Sequence, residues 1–354
     1  MVRVADNEVL LRQGSLMAKR STATATRMRA AVHTRYGPPE VVQVTEIDTP
    51  SPAADELLVR VHATTVNRTD CGYRTPTPAF ARLLFGLTRP RTTVLGNEFA
   101  GEVVAAGGEV TAFAVGDRIF GYVEGSFGGH AEYLTVASDG LIAAMPPGLT
   151  FAQMAPATEG AHYALSAIRR ARTTAGDTVC VYGATGAIGS AAVQLLKILG
   201  ATVTAVCATP HLELVEGLGA DRVIDYTVED FTAAGQVHDL VIDAVGKSSF
   251  GRCRRLLKPG GVYVSSELGP FGQNPLLALV TPALGGRTVR FPFPIEDRQM
   301  IRWLGEQIGA GRFTPVIDRR YPLDEIVAAY DYVETGRKVG NVVITVTDQA
   351  DRAA

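Results

Sequence analysis

The chain has 354 residues, 46% of them hydrophobic and 20% charged, with a formal net charge of −2. That length accommodates two domains with their own cores, and a near-neutral balance without a long basic run argues against nucleic acid or an anionic membrane as the main partner. No apolar run approaches the roughly 20 residues a bilayer span requires. The four cysteines (Cys71, Cys180, Cys207, Cys253) are far apart, the pattern of core residues in a reduced, cytoplasmic protein and not of a disulfide frame or metal cluster.

Residues 1–27 mix charges with small polar residues and lack a continuous apolar core, so they are not expected to act as a secretory signal. They read as a disordered tail, or as the result of an upstream start with Met28 as the natural beginning. From there the chain reads as β structure. MRAAVHTRYG, VVQVTEID and ELLVRVHATTV show alternation or short apolar runs, broken by Gly37-Pro38-Pro39 and Pro50-Ser51-Pro52. Glycine-rich β segments continue through residues 93–108, 115–121 and 130–136, and Pro146-Pro147-Gly148 closes this part. Residues 72–92 hold an insertion with several prolines and one apolar segment, a candidate lid.

A helix is expected over 161–171, followed by a strand over 178–182 and the turn Gly183-Ala184-Thr185-Gly186-Ala187-Ile188-Gly189. A helical pattern up to Gly200 and a second apolar strand over 201–207 complete the unit. Strand, glycine turn, helix and strand form the βαβ unit of dinucleotide-binding folds. Gly183 and Gly186 allow a sharp turn close to a diphosphate, Gly189 lets the helix lie near the sheet, and the helix N-terminus offers N–H groups to phosphate. Further strands at 239–243, 261–265 and 287–291, with a helix at 248–257, imply a parallel sheet covered on both faces. Helices at 296–310 and 323–334 and a β run at 341–346 end the chain. That last β run suggests a return to complete the first domain.

With VLGNEFAGEVVAAG, GATGAIG, LGADRVIDY, DAVG, LKPGGVYV and GRKVGNVVITV in order, the chain resembles the medium-chain dehydrogenase/reductases from about residue 28 to 346, in their zinc-free quinone oxidoreductase-like branch. The resemblance implies an α/β fold: a Rossmann doubly wound parallel sheet plus a GroES-like β-rich domain, with the active site between them. The boundaries expected are 28–150 for the GroES-like domain, 151–295 for the Rossmann domain and 296–348 for the return segment.

Zinc-dependent members place a Cys at the position of Asn67 and a His at that of Asn97, with Glu159 near the third ligand position. A catalytic zinc takes three protein ligands, and amides suit this borderline-soft ion poorly, so no metal is expected. The cysteine-rich structural zinc lobe is missing too. Asn67 and Asp70 fall at the family's cleft positions, as orienting amide and anchoring carboxylate; turn formation is the plain alternative. Tyr73 is a candidate proton donor or an apolar rim residue. Glu159 and His162 share a helix face, as proton-transfer groups or as a structural pair. The remaining histidines (His33, His62, His130, His211, His238) are expected at surface or strand positions.

Cofactor choice is read just after the second strand, where NAD enzymes carry an acid. This chain has Cys207-Ala-Thr209-Pro-His211 there, so NADP(H) is expected, with Thr209 as a donor to the 2′-phosphate and Tyr226 beside the adenosine. Val245 and Gly246 are expected along the nicotinamide, and Gly340 and Asn341 closing over it. The activity implied is hydride transfer from NADPH to a quinone or α,β-unsaturated carbonyl. Alcohol dehydrogenase activity and an NADPH-binding protein with little turnover are the alternatives. A homodimer is implied by the resemblance, with residues 270–284 as its surface.

Overall fold

The computed structural model describes residues 27–76, 82–123, 125–233, 235–292 and 297–347. The expected tail over 1–27 lies outside them apart from Arg27, which already belongs to a strand.

The first part is β-rich, with β1 (Arg27–Val32), β2 (Gln43–Asp48), β3 (Glu56–Val66), α1 (Arg68–Arg74), α2 (Arg82–Phe85), β4 (Glu98–Ala106), β5 (Arg118–Tyr122), β6 (Tyr133–Ala137) and β7 (Leu141–Ala144). The connecting α3 (Phe151–Met154) and α4 (Glu159–Ala171) lead into β8 (Thr178–Tyr182), α5 (Ala187–Ile198), β9 (Thr202–Cys207), α6 (Leu212–Gly217), β10 (Arg222–Asp225) and β11 (His238–Asp243). Then come α7 (Phe250–Cys253), β12 (Leu257–Ser265), α8 (Gln273–Leu284), β13 (Thr288–Arg290), α9 (Arg298–Gly309), β14 (Ile317–Pro322), α10 (Ile326–Glu334) and β15 (Asn341–Thr345).

β8 to β13 form a six-stranded parallel sheet in the order β10-β9-β8-β11-β12-β13. The order reverses at β8, and that switch point opens a crevice at the strands' C-terminal ends. Side-chain alternation along β8 sends Val179 and Val181 into a core shared with α4, α5 and α9, while Cys180 joins a second core with Cys253, Tyr263 and Val289. Both faces are therefore covered, which is why these strands read as continuous apolar runs.

The other large sheet runs β14-β15-β3-β4-β5-β7, with β6 also on β3. β15 lies antiparallel on β3, Val342 opposite Val66. The chain's last strand thus ends against the strand that leads into α1. One core reaches from Ala100 and Phe120 of this sheet through Met154 and Ala157 to Leu195 of α5, tying the two sheets together.

Three elements differ from expectation. The helix expected over 248–257 is only the four residues of α7 plus a 3-10 turn, Arg254–Leu256, and β12 begins at Leu257. Gly251 and the following Pro259-Gly260 leave little to propagate it. Residues 273–284, for which no element is expected, form a helix: Pro275 sits in its first turn, where the ring is tolerated, and Pro282 near its end. α1 went unforeseen because its apolar content is slight and its N-terminal cap carries the signal. Among the described residues, no helix is long and apolar enough to cross a membrane.

Candidate active site

Where β3 ends, Asn67 caps α1. Its Oδ1 accepts the Asp70 N–H at 3.1 Å, and Asp70 Oδ2 accepts the Asn67 N–H at 2.9 Å, a reciprocal capping box. Asp70 Oδ1 accepts the Gly96 N–H at 2.9 Å. Asp70 is wholly buried, and burial pushes its carboxyl up to about 7. It therefore touches nothing in the cleft; it fixes Asn67 and the Gly96 turn that carries Asn97.

That cap sets the direction of a chain of hydrogen bonds. With Asn67 Oδ1 taken, Nδ2 donates to Asn97 Oδ1 at 2.7 Å, which leaves Asn97 Nδ2 to donate to Glu159 Oε2 at 2.9 Å. Thr69 Oγ1 donates to the other oxygen, Glu159 Oε1, at 2.6 Å. Glu98, next to Asn97, accepts from Thr65 Oγ1, Thr158 Oγ1 and the backbone N–H groups of Thr158 and Glu159. Burial first, then the charge of Glu98, pushes the Glu159 carboxyl up to about 8. Both effects favour the protonated form of Glu159. The residue spacing could not show that Asn97 and Glu159 join Asn67; the three are 30 and 62 positions apart.

The same network decides the zinc question. At Asn67, Asn97 and Glu159, the positions the resemblance matches to zinc ligands, the amides are spent on one another and on the carboxyl. Among the described residues, no group of three or more His, Cys, Asp or Glu could hold a metal ion. The residues do not fit zinc.

Tyr73 is half-buried, its ring between Phe85 at 4.1 Å and Phe127 at 4.5 Å. Phe85 comes from the same 72–92 insertion, of which residues 77–81 lie outside the described part, and Phe127 follows β5. His162 is buried between Tyr122 and Tyr163. Of the histidines expected at surface or strand positions, His62 lies in β3 and His238 in β11; His33, His62, His130 and His238 are all buried, and burial pulls His130 down to about 4. His130 Nε2 bonds the Thr65 carbonyl at 2.7 Å, behind Asp70.

Across the crevice, Gly183 has φ +83°, and a Cβ there would lie 2.5 Å from a Val245 methyl. A Cβ on Gly189 would fall on the Gly183 carbonyl oxygen. Gly186 differs: its Cβ would meet nothing closer than 3.8 Å, and it caps α5 without any side-chain bond. Space before an uncapped helix N-terminus is a seat for phosphate, so the residues fit a dinucleotide. Thr185 and Ala187 flank the seat, whereas Ala184 is buried behind the turn and Ile188 packs on the core. Gly340 N–H donates to the Thr185 carbonyl at 2.6 Å and Gly340 bridges Gly186, so the start of β15 closes over the turn. The Asn341 amide is turned away, bonded to the Val316 carbonyl at 2.9 Å. Val245 and Gly246 follow β11, their N–H groups held by Asp243.

Beside Tyr226 lies a groove of about 500 Å³, lined also by Tyr182, Phe231 and Arg252. Tyr226 is half exposed there, edge-on to Tyr182. Two expectations are corrected. Cys207 is buried inside the sheet, in register with Asp225, so its thiol faces no ligand. Thr209 Oγ1 donates to Asp225 Oδ2 at 2.5 Å and also meets Thr227 Oγ1, so the expected phosphate donor is engaged by a carboxylate from the next strand. Those bonds hold the Asp225 carboxyl below its usual range.

A family model described as alcohol dehydrogenase GroES-like domain matches residues 53–147, and one described as zinc-binding dehydrogenase matches 218–344. A 2-methylene-furan-3-one reductase of Solanum lycopersicum is 32% identical over 340 residues, covering 92% of this chain and 80% of the relative. A chloroplastic NADPH-dependent alkenal/one oxidoreductase of Arabidopsis thaliana is 31% identical over 349 residues, covering 94% and 84%. The quinone oxidoreductase structure from Coxiella burnetii aligns with a TM-score of 0.81 at 27% identity, over 91% of this chain and all of that one. On these matches, with the parallel sheet and the glycine turn in place, the chain belongs to the medium-chain dehydrogenase/reductase superfamily.

Proposed function

We propose that this protein is a zinc-independent, NADPH-dependent oxidoreductase that reduces an α,β-unsaturated carbonyl or a quinone. The observation that carries the reading is the asparagine–glutamate chain at the positions of the zinc ligands, set opposite an intact phosphate seat. Relatives named as reductases of alkenals, enones and quinones support it. Bound NADPH would supply the hydride. The protein's part is to hold and polarise the substrate. Asn67 has a second amide hydrogen beyond the one given to Asn97, and we assign it to the substrate oxygen. The protonated Glu159 and the Thr69 hydroxyl form the nearest proton store, and Asp70 keeps Asn67 in place. Tyr73 is left to shape the apolar wall of the cleft.

Residues 183–189, Val245, Gly246 and Gly340 are assigned to the cofactor, with Tyr226 against the adenosine. Asp225 limits how sharply a 2′-phosphate is preferred, because a carboxylate there also suits a ribose diol, and this observation favours a second reading in which NADH serves as well. We also propose the domain division 28–150, 151–295 and 296–348, a cytoplasmic location, and a homodimer formed through α8, where Leu276, Leu279 and Leu284 are exposed.

The test compares three assays: NADPH oxidation with a 2-alkenal, NADPH oxidation with a benzoquinone, and NADP⁺ reduction with primary alcohols at high pH. Turnover in the first two supports the proposal. Turnover only with alcohols gives the dehydrogenase direction. Tight NADPH binding with no turnover gives a binding protein.

A further inference from the structure

The turn over residues 183–189 contains no lysine or arginine, and neither does the stretch 207–212. A dinucleotide brings a diphosphate to this turn, and a helix N-terminus offers only about half an elementary charge against it. We propose that the Lys338 ammonium supplies the missing charge, clamping the diphosphate from the β15 side of the crevice. The proposal rests on the NADPH reading above.

Lys338 lies between α10 and β15. Its Nζ donates to the Gly340 carbonyl at 2.6 Å. Gly340 in turn donates to Thr185 and bridges Gly186, so the ammonium is anchored on the one residue that closes over the phosphate seat. An ammonium has three hydrogens, and the bond to Gly340 uses one.

Its charge is not neutralised by that bond, since the acceptor is a carbonyl. The charged and titratable groups that face it are Glu98 from β4, Asp318 from β14, and Arg68 and Cys71 from α1. Glu98 is already engaged by four donors. Asp318 accepts from Tyr332 and the Val339 N–H. Arg68 stands 3.6 Å from Glu267. Burial pulls the Lys338 ammonium down to about 8. A half-buried cation with a lowered pKa is stabilised by an incoming anion, and bound diphosphate would draw a proton back onto it.

The experiment measures NADPH dissociation constants by fluorescence titration from pH 6.5 to 9.5 for wild type, Lys338→Met and Lys338→Arg, with 2′-AMP as a probe lacking the diphosphate. The clamp predicts a wild-type Kd that weakens as pH rises above about 8, where the free protein's lysine loses its proton. Lys338→Met should bind NADPH about tenfold more weakly at pH 7, without that pH dependence, and bind 2′-AMP as wild type does. Lys338→Arg should hold NADPH near wild-type strength and stay flat across the range, because guanidinium remains charged. Wild-type affinity in Lys338→Met overturns the clamp, as does an equal loss for 2′-AMP or an arginine variant as weak as the methionine one. A wild type that binds neither NADPH nor NADH removes the underlying reading, and the clamp with it.

Discussion

Asn67 does two jobs that can be separated. Its Oδ1 caps α1 and its Nδ2 faces Asn97 and the cleft. Serine caps a helix about as well as asparagine, so Asn67→Ser should keep the thermal midpoint within a few degrees while lowering kcat on an enone by about 10²-fold, the scale of one lost oxyanion donor. Unchanged kcat would put substrate polarisation elsewhere. Glu159 makes a stability prediction. Burial raises its folded pKa to about 8, well above the usual carboxyl range, so its contribution to stability is complete in mild acid and lost as pH rises to about 8. Thermal melts should fall more steeply between pH 5 and 9 for wild type than for Glu159→Gln. Asp70 and Glu98, also raised by burial, give the variant a residual slope of the same sign. Parallel curves would mean that Glu159 is ionised in the fold.

At the scale of elements, the glycine turn yields a contrast. Gly186→Ala puts a methyl into open space and should leave folding unchanged while weakening NADPH binding about tenfold or more. Gly189→Ala drives a methyl into the Gly183 carbonyl and should lower the thermal midpoint outright. If both variants bind NADPH like wild type, the phosphate seat lies elsewhere. This turn was legible because strand, glycines and helix are contiguous, and so was the zinc-free reading, because it needed only residue identities at matched positions. The Asn97–Glu159 bond was not, since it joins β4 to α4 across 62 residues. Asp225 was missed for the same reason: the acid rule inspects the end of β9, while this carboxylate arrives from β10. The surroundings of Tyr73 and Cys207 were not legible, because they are set by packing against Phe85 and Phe127 and by burial inside the sheet.

For the whole molecule, α8 and the edge strand β13 carry the prediction about assembly. Leu276, Leu279 and Leu284 are 63%, 77% and 77% exposed, an apolar face that a monomer gains nothing by showing to water. Sedimentation should give a dimer for wild type and a monomer for Leu279→Glu; a monomeric wild type would leave the face for another partner. The fold class was readable from the order of strands and helices, whereas the helical form of residues 273–284 was obscured by two prolines.

On this reading, hydride transfer needs NADPH and no metal. NADPH oxidation by chelator-treated protein, with an enone and a quinone as acceptors and NADH as control, tests it directly. Turnover should survive chelation and prefer NADPH, with the preference tempered by Asp225. Turnover that vanishes on chelation and returns with zinc would contradict it, and with it the reading of Asn67, Asn97 and Glu159 as a closed hydrogen-bonded chain.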